Sequence, residues 1–233
     1  MKLSFRGCGE KAITLLEVLV VIVVIVVLAG IFLPSLTAAK PGAQRIKCAS
    51  NLKQVGLAFR IFAVDNNDKY PFEATNSIAF QRTSNAWVHY QAMSNELASA
   101  KILMCPADRN RLNTAATDFL NAPISLSWSN HQDMSISYFV GLGARETKAQ
   151  SILTGDRSMA RSVTTGLYSN SRYGGANQVT ANSTWLELLH GCQGNIVLGD
   201  ASVKQVTEAQ LRDQLQAAVN LYGVTNNYFL FPQ

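Results

Sequence analysis

Few residues in this chain have the type and spacing to do chemistry. His190 and Asp200 stand in the run His190-Gly191-Cys192-Gln193-Gly194-Asn195-Ile196-Val197-Leu198-Gly199-Asp200-Ala201, a His-x9-Asp spacing that could pair a base with an acid. A catalytic pair also needs a nucleophile or a metal set, and the neighbouring sequence supplies neither. The simpler expectation is structural: Asp200 bonds the amides of a turn and His190 caps the start of a hairpin. Ala201 after the aspartate argues against a positive-φ turn, which glycine would permit. Asp65, Asn67 and Asp68 form an oxygen-rich cluster, but they lack the glycine and final glutamate of a calcium loop. A solvated turn is expected there, with calcium as the alternative. The four cysteines, Cys8, Cys48, Cys105 and Cys192, form no CxxC pair. A zinc ribbon or thioredoxin-type site is therefore not expected, and neither is any other metal centre. Trp87, Trp128 and Trp185 read as packing residues rather than a ligand cage.

Stepping outward from these residues, the strongest pattern is at the N-terminus. Residues 1–12 are short and basic, with Lys2, Arg6 and Lys11 against Glu10. From Ile13 to Leu33 the only charge is Glu17, and from Val18 onward no side chain is polar. A bilayer needs roughly 20 apolar residues at 1.5 Å rise each, so this run is long enough to span one. The preceding cations predict a cytoplasmic leader and an exported remainder. Of the +5 formal charge, two units sit in the first twelve residues and three elsewhere. No basic stripe with interleaved aromatics follows, so nucleic acid is not an expected partner.

Three readings of this segment compete. A cleaved secretory signal has an apolar core of about 7–15 residues followed by a small-residue cut site, shorter than the core here. A plain signal anchor accounts for the apolar run but not for Glu17. An acid within a membrane helix costs about 2.5–3.5 kcal/mol at the centre and less toward the ends, so it calls for a partner. Cleavage between Ala12 and Ile13 would create one, because the new α-amine at Ile13 is cationic at neutral pH. Glu17 of one subunit could then pair with Ile13 of a neighbour; the alternative is that it snorkels to the interface.

The run Lys11-Ala12-Ile13-Thr14-Leu15-Leu16-Glu17 resembles the cleavage and methylation motif of type IV prepilins and type II secretion pseudopilins. The resemblance implies cleavage at Ala12–Ile13 by a prepilin peptidase, N-methylation of Ile13, and Glu17 as the assembly glutamate. Ala12 stands where glycine is commonest, and Ile13 where phenylalanine or methionine is usual. Pro34 matches a helix-kinking proline of these subunits, and Pro41 is a second expected kink. The segment from Arg45 to Ala58, the turn Asp65–Pro71 and the region from His190 resemble a subgroup with an H-x9-DG C-terminal pattern, in which His190, Gly194, Asn195 and Asp200 carry the motif. The resemblance also implies calcium at Asp65, Asn67 and Asp68 as a candidate, and Cys48 with Cys105 as the favoured disulfide, although three pairings are open once Cys8 leaves.

The expected fold is α+β and pilin-like. A leader (1–12) precedes a transmembrane and assembly helix (13–34), which continues, kinked, into an amphipathic helix (35–64, strongest from about Ala43 to Val64). That helix packs on a small antiparallel sheet domain (65–233) containing the hairpin 190–205. Further expectations are a short helix at Asn95–Lys101, strands at Ile102–Cys105, Ile136–Val140 and Ser151–Leu153, a turn at Gly155-Asp156, and a loop at Ser158–Ser183. Strands at Asn195–Leu198 and Ser202–Gln205 flank a turn. A helix at Thr207–Leu221 is capped by Thr207, with Leu211, Leu215, Ala218 and Leu221 on one face. An aromatic tail at Tyr228–Phe231 docks on the body. The implied function is a structural filament subunit, not an enzyme, in a bacterial inner membrane with its domain exported. Its implied partners are the prepilin peptidase, other pilin or pseudopilin subunits, and an assembly platform with its ATPase. The alternative is a membrane-anchored exported enzyme or ligand-binding module using His190 and Asp200.

Overall fold

The computed structural model describes residues 14–75, 85–111, 116, 118–119, 132–160, 177–178, 184–185, 189–223 and 228–232. The leader, Ala12, Ile13, Trp128 and most of the Ser158–Ser183 loop lie outside the described residues. The chain divides into two compact units, Met1–Lys40 and Pro41–Gln233.

Helix α1 is assigned over Leu15–Asp65 without a break, so Pro34 and Pro41 lie within it rather than between two helices. Its first part, Leu15–Leu33, has a mean hydropathy of 3.3 and buries nothing within the chain. By length and composition it can cross a membrane.

In the second unit, Cys48, Leu52, Val55, Phe59 and Phe62 of α1 are buried. Their three- and four-residue spacing makes one helix face. Lys53, Leu57, Arg60 and Val64 are exposed. Leu57 and Val64 are apolar yet uncovered.

The main sheet has six strands in the order β4-β8-β1-β2-β6-β7: Asn177–Gln178, Tyr228–Leu230, Tyr138–Gly141, Ile152–Asp156, Gln193–Leu198 and Val203–Thr207. Every pairing is antiparallel. Met159–Ala160 (β3) and Thr184–Trp185 (β5) form a separate two-stranded ribbon. Alternation along the strands divides the core, because successive side chains point to opposite faces. Tyr138, Val140, Leu153 and Val197 pack with α1. Phe139, Ile152, Ile196 and Leu198 pack with Leu211 and Leu215 of the last helix. That helix, α3 (Glu208–Tyr222), starts with a reciprocal capping box between Thr207 and Gln210. Leu211, Leu215 and Ala218 are buried as expected, but Leu221 is 60% exposed.

Several local expectations change. A helix α2 at Ala86–Ala92 was not foreseen. Only seven residues long, it carries too few turns for a periodic signal, and Asp133 Oδ1 accepts the Trp87 amide at 3.0 Å near its start. Asn95–Lys101 forms turns rather than a helix, and Ile102 belongs to a 3-10 turn, Ala100–Leu103, opened by the Ser99 side chain rather than to a strand. Gly155-Asp156 is not a turn but the end of β2. Glycine is needed there for packing: a Cβ on Gly155 would lie 2.9 Å from the Phe139 ring. The aromatic tail does more than dock, since Tyr228–Leu230 is a strand between β4 and β1.

Candidate functional site

Four chemically capable side chains from four parts of the second unit meet under the sheet. Cys48 comes from the buried face of α1, Cys105 from the loop after the 3-10 turn, Asp156 from the end of β2, and His190 from the turn before β6. One ligand atom from each lies within 4.8 Å of all the others. Cys48, Cys105 and Asp156 are wholly buried, and the His190 side chain is only 2% exposed.

Local structure explains the convergence. The Cys105 loop is held by α1 on both sides of Cys48: Gln44 Nε2 donates to the Pro106 carbonyl at 3.1 Å, and Asn51 Nδ2 to the Met104 carbonyl at 3.2 Å. The same loop is tied to the end of β2 by a fork. Arg157 Nε and Nη2 donate to Asp108 Oδ2 and Oδ1 at 2.7 and 2.8 Å. Such two-pronged pairs fix position as well as adding energy. Asp156 therefore faces Cys105 across a braced gap. On the far side, Gly191 and Cys192 adopt positive φ of 61° and 55°, which turns the chain into β6. Gly194 then admits the Trp185 indole, which a Cβ would strike.

Within the cluster, Cys48 Sγ donates to Asp156 Oδ1 at 3.0 Å. Cys105 Sγ and His190 Nε2 are 3.4 Å apart, and His190 Nε2 stands 3.5 Å from Asp156 Oδ2. The amide and side chain of Asn195 donate to Asp156 Oδ2 at 2.7 and 3.0 Å. The Tyr138 hydroxyl lies 3.4 Å from Cys48 Sγ. Burial pushes the Asp156 carboxyl above its usual range despite His190 and these bonds. Burial also pushes the Cys48 thiol well up. Hydrogen bonding from Cys48 brings Cys105 down to about 7 against the effect of burial, with His190 helping. For His190, burial pulls down, but Cys105 and Asp156 outweigh it and the imidazole sits above its ordinary value.

This arrangement is not a Cys-His-Asp relay. Both Cys105 and Asp156 meet the imidazole at Nε2, whereas a relay needs the acid on the other ring nitrogen. Cys105 is also closed to solvent. Cys48 and Cys105, the expected disulfide pair, lie together in the cluster as free thiols, with the Cys48 thiol donating to Asp156.

The sequence motif divides. His190 and Asp200 lie beyond opposite ends of β6, a six-residue strand, and about 17–20 Å of strand separates such positions. They form no single site. His190 does not cap the hairpin but turns into the buried cluster. Asp200 Oδ1 accepts the Ser202 amide at 2.8 Å, a turn contact that holds its carboxyl below the usual value against partial burial. Ala201, where positive φ was not expected, has φ of 62°. The turn imposes this conformation because Leu198 and Ser202 must close the hairpin by a 2.9 Å bond. Of the calcium candidates, Asp65 ends α1, and Asn67 and Asp68 take positive φ in the turn that follows it. Asp156 was missed because Gly155-Asp156 looks like a turn in sequence.

In the N-terminal unit, Thr14 and Glu17 cap the helix reciprocally. The Thr14 amide donates to Glu17 Oε2 at 2.9 Å, and the Glu17 amide to Thr14 Oγ1 at 3.2 Å. Glu17 therefore satisfies an otherwise orphaned donor at the start of α1.

Among known proteins, the chain is 37% identical over 81 residues to the type II secretion system core protein G of Pectobacterium carotovorum subsp. carotovorum. The match covers 30% of this chain and 51% of that protein, so the chain spans about half the length of the curated relative it matches. No family model matches, and no solved structure matches.

Proposed function

We propose that this protein is a structural subunit of a type II secretion pseudopilus or a type IV pilus-like filament. The observation that carries this reading is a membrane-length apolar helix with one acid, Glu17, in its first turn. Its partial likeness to a type II secretion core protein supports the same reading. A prepilin peptidase cuts Ala12–Ile13 on the cytoplasmic side, and Ile13 is N-methylated. The subunit waits in the inner membrane with Pro41–Gln233 exported, until a platform and its ATPase draw it into the filament. Apolar contacts between helices then replace lipid contacts. Glu17, already at the helix start, accepts the Ile13 ammonium of a neighbouring subunit, which sets the register. An acid in that setting needs a cation, and the cut supplies it.

The test is mass spectrometry of the N-terminus of protein taken from the membrane fraction of its native host. A mature start at N-methylated Ile13 is the expected result. An intact Met1, or a start beyond Pro34, would overturn the reading, since either removes the partner amine from Glu17.

A further inference from the structure

We propose that Cys48, Cys105, Asp156 and His190 form a four-ligand site for a zinc-type divalent cation, which fastens helix α1 to the sheet.

The donor set is two thiols, an imidazole and a carboxylate. Thiolates select zinc and other soft or borderline metals, imidazole suits zinc, and calcium or magnesium would want an all-oxygen shell. Tetrahedral zinc with these ligands spaces neighbouring donor atoms by roughly 3.3–3.8 Å. The cluster shows 3.4 Å from Cys105 Sγ to His190 Nε2. Asp156 meets His190 and Cys48 through different oxygens, Oδ2 at 3.5 Å from His190 Nε2 and Oδ1 facing Cys48 Sγ, with one ligand atom of each residue within 4.8 Å of the others. Cys48 Sγ to Asp156 Oδ1, at 3.0 Å, needs to open by a few tenths of an ångström.

The surroundings fit a metal as well. Asn195 grips the Asp156 carboxylate with two donors, and the Tyr138 hydroxyl reaches Cys48 Sγ. Outer contacts of this kind orient ligands and tune affinity. A buried carboxylate is costly unless a cation compensates it. A cavity of about 310 Å³ lined by Gln44, Arg45, Leu189 and His190 borders the site on its His190 side. With zinc bound, two thiolates and one carboxylate leave the site one negative charge, and Arg45 is the cation beside it. Binding releases to solvent the thiol protons of Cys48 and Cys105 and any proton carried on His190 Nε2, since each ligand atom must be unprotonated. A disulfide between the two cysteines would use only half of this donor set, leaving Asp156 and His190 facing each other unused.

The test is made on the full-length chain in detergent, reduced and stripped with a chelator. One Zn²⁺ per chain should be retained through desalting. Co²⁺ in its place should show tetrahedral bands with thiolate charge transfer, a signature that needs no variant and so does not depend on a substituted chain folding. Cys105→Ser and His190→Gln should each weaken Zn²⁺ by at least about 100-fold, and Asn195→Ala by about 10-fold. Cys192→Ser, at an exposed cysteine, should change nothing. The proposal is overturned if the reduced, folded chain retains no Zn²⁺, or if Cys105→Ser binds it as well as the unaltered chain does. It is equally overturned if protein recovered from zinc-replete cells is metal-free and carries a Cys48–Cys105 disulfide.

Discussion

The two units of this chain handle an isolated carboxylate in opposite ways. Glu17 sits at the start of an apolar helix and is occupied locally, by Thr14 three residues away. Asp156 is buried in the second unit, and its partners come from residues 48, 190 and 195, all distant in sequence. On the proposed assembly, an acid held only by a local partner can exchange it for a neighbouring subunit's amine. Distant partners make the acid part of the fold. Substitutions in the first unit should therefore affect assembly without unfolding the domain, and substitutions in the second should do the reverse.

The largest effect should come from Glu17→Ala. On the proposed assembly it would leave the neighbour's amine buried and unpaired, at a cost of roughly 3–5 kcal/mol, so incorporation into filaments should fall more than about 100-fold. Filament yield by electron microscopy should collapse while thermal unfolding of the domain is unchanged; a shifted unfolding curve would break the contrast. Phe59→Ala should do the opposite. Phe59 is wholly buried, with its ring edge-on to Tyr70 and Tyr90. Its removal should cost about 3–5 kcal/mol in chemical denaturation.

A pH effect sharpens the domain side. His89 is completely buried, its ring nitrogens have no hydrogen-bond partner among the described residues, and burial lowers its pKa to about 3. The unfolded chain takes up the proton first, near pH 6.5, so stability is full above that and falls as pH drops toward 3. The slope from this residue approaches about 1.4 kcal/mol per pH unit. His89→Leu should flatten the acid limb of a stability-versus-pH curve by that amount. Thr207→Ala, which removes the cap of α3, should cost about 1 kcal/mol by denaturant titration. Leu57→Ala should be smallest. The side chain is 54% exposed, and a change within about 0.5 kcal/mol is expected of the isolated subunit.

How much of this was readable depended on the range of the interactions. The capping box at Thr207, the hairpin around Gly199-Asp200-Ala201 and the apolar N-terminal run rest on neighbours within a few residues. Sequence spacing exposes such neighbours directly. The α+β class followed from the same local signals. Helix α2 escaped because seven residues hold too few turns to show a period. Gly155-Asp156 misled because glycine next to aspartate has the composition of a turn, whereas here the glycine makes room for Phe139. Ala201 misled because closing the hairpin outweighs the residue's own preference for negative φ.

By itself the sequence determined that a membrane-length apolar helix leads the chain, that Glu17 stands alone in it, and that a helix capped by Thr207 follows a hairpin. Each of these is a matter of composition and short spacing. Tertiary structure alone decided that His190 joins Cys48, Cys105 and Asp156 rather than Asp200. Those four residues are at least 34 positions apart along the chain. Only the crossing of α1 over the sheet, with Asp108 and Arg157 bracing the loop, brings their side chains within one another's reach.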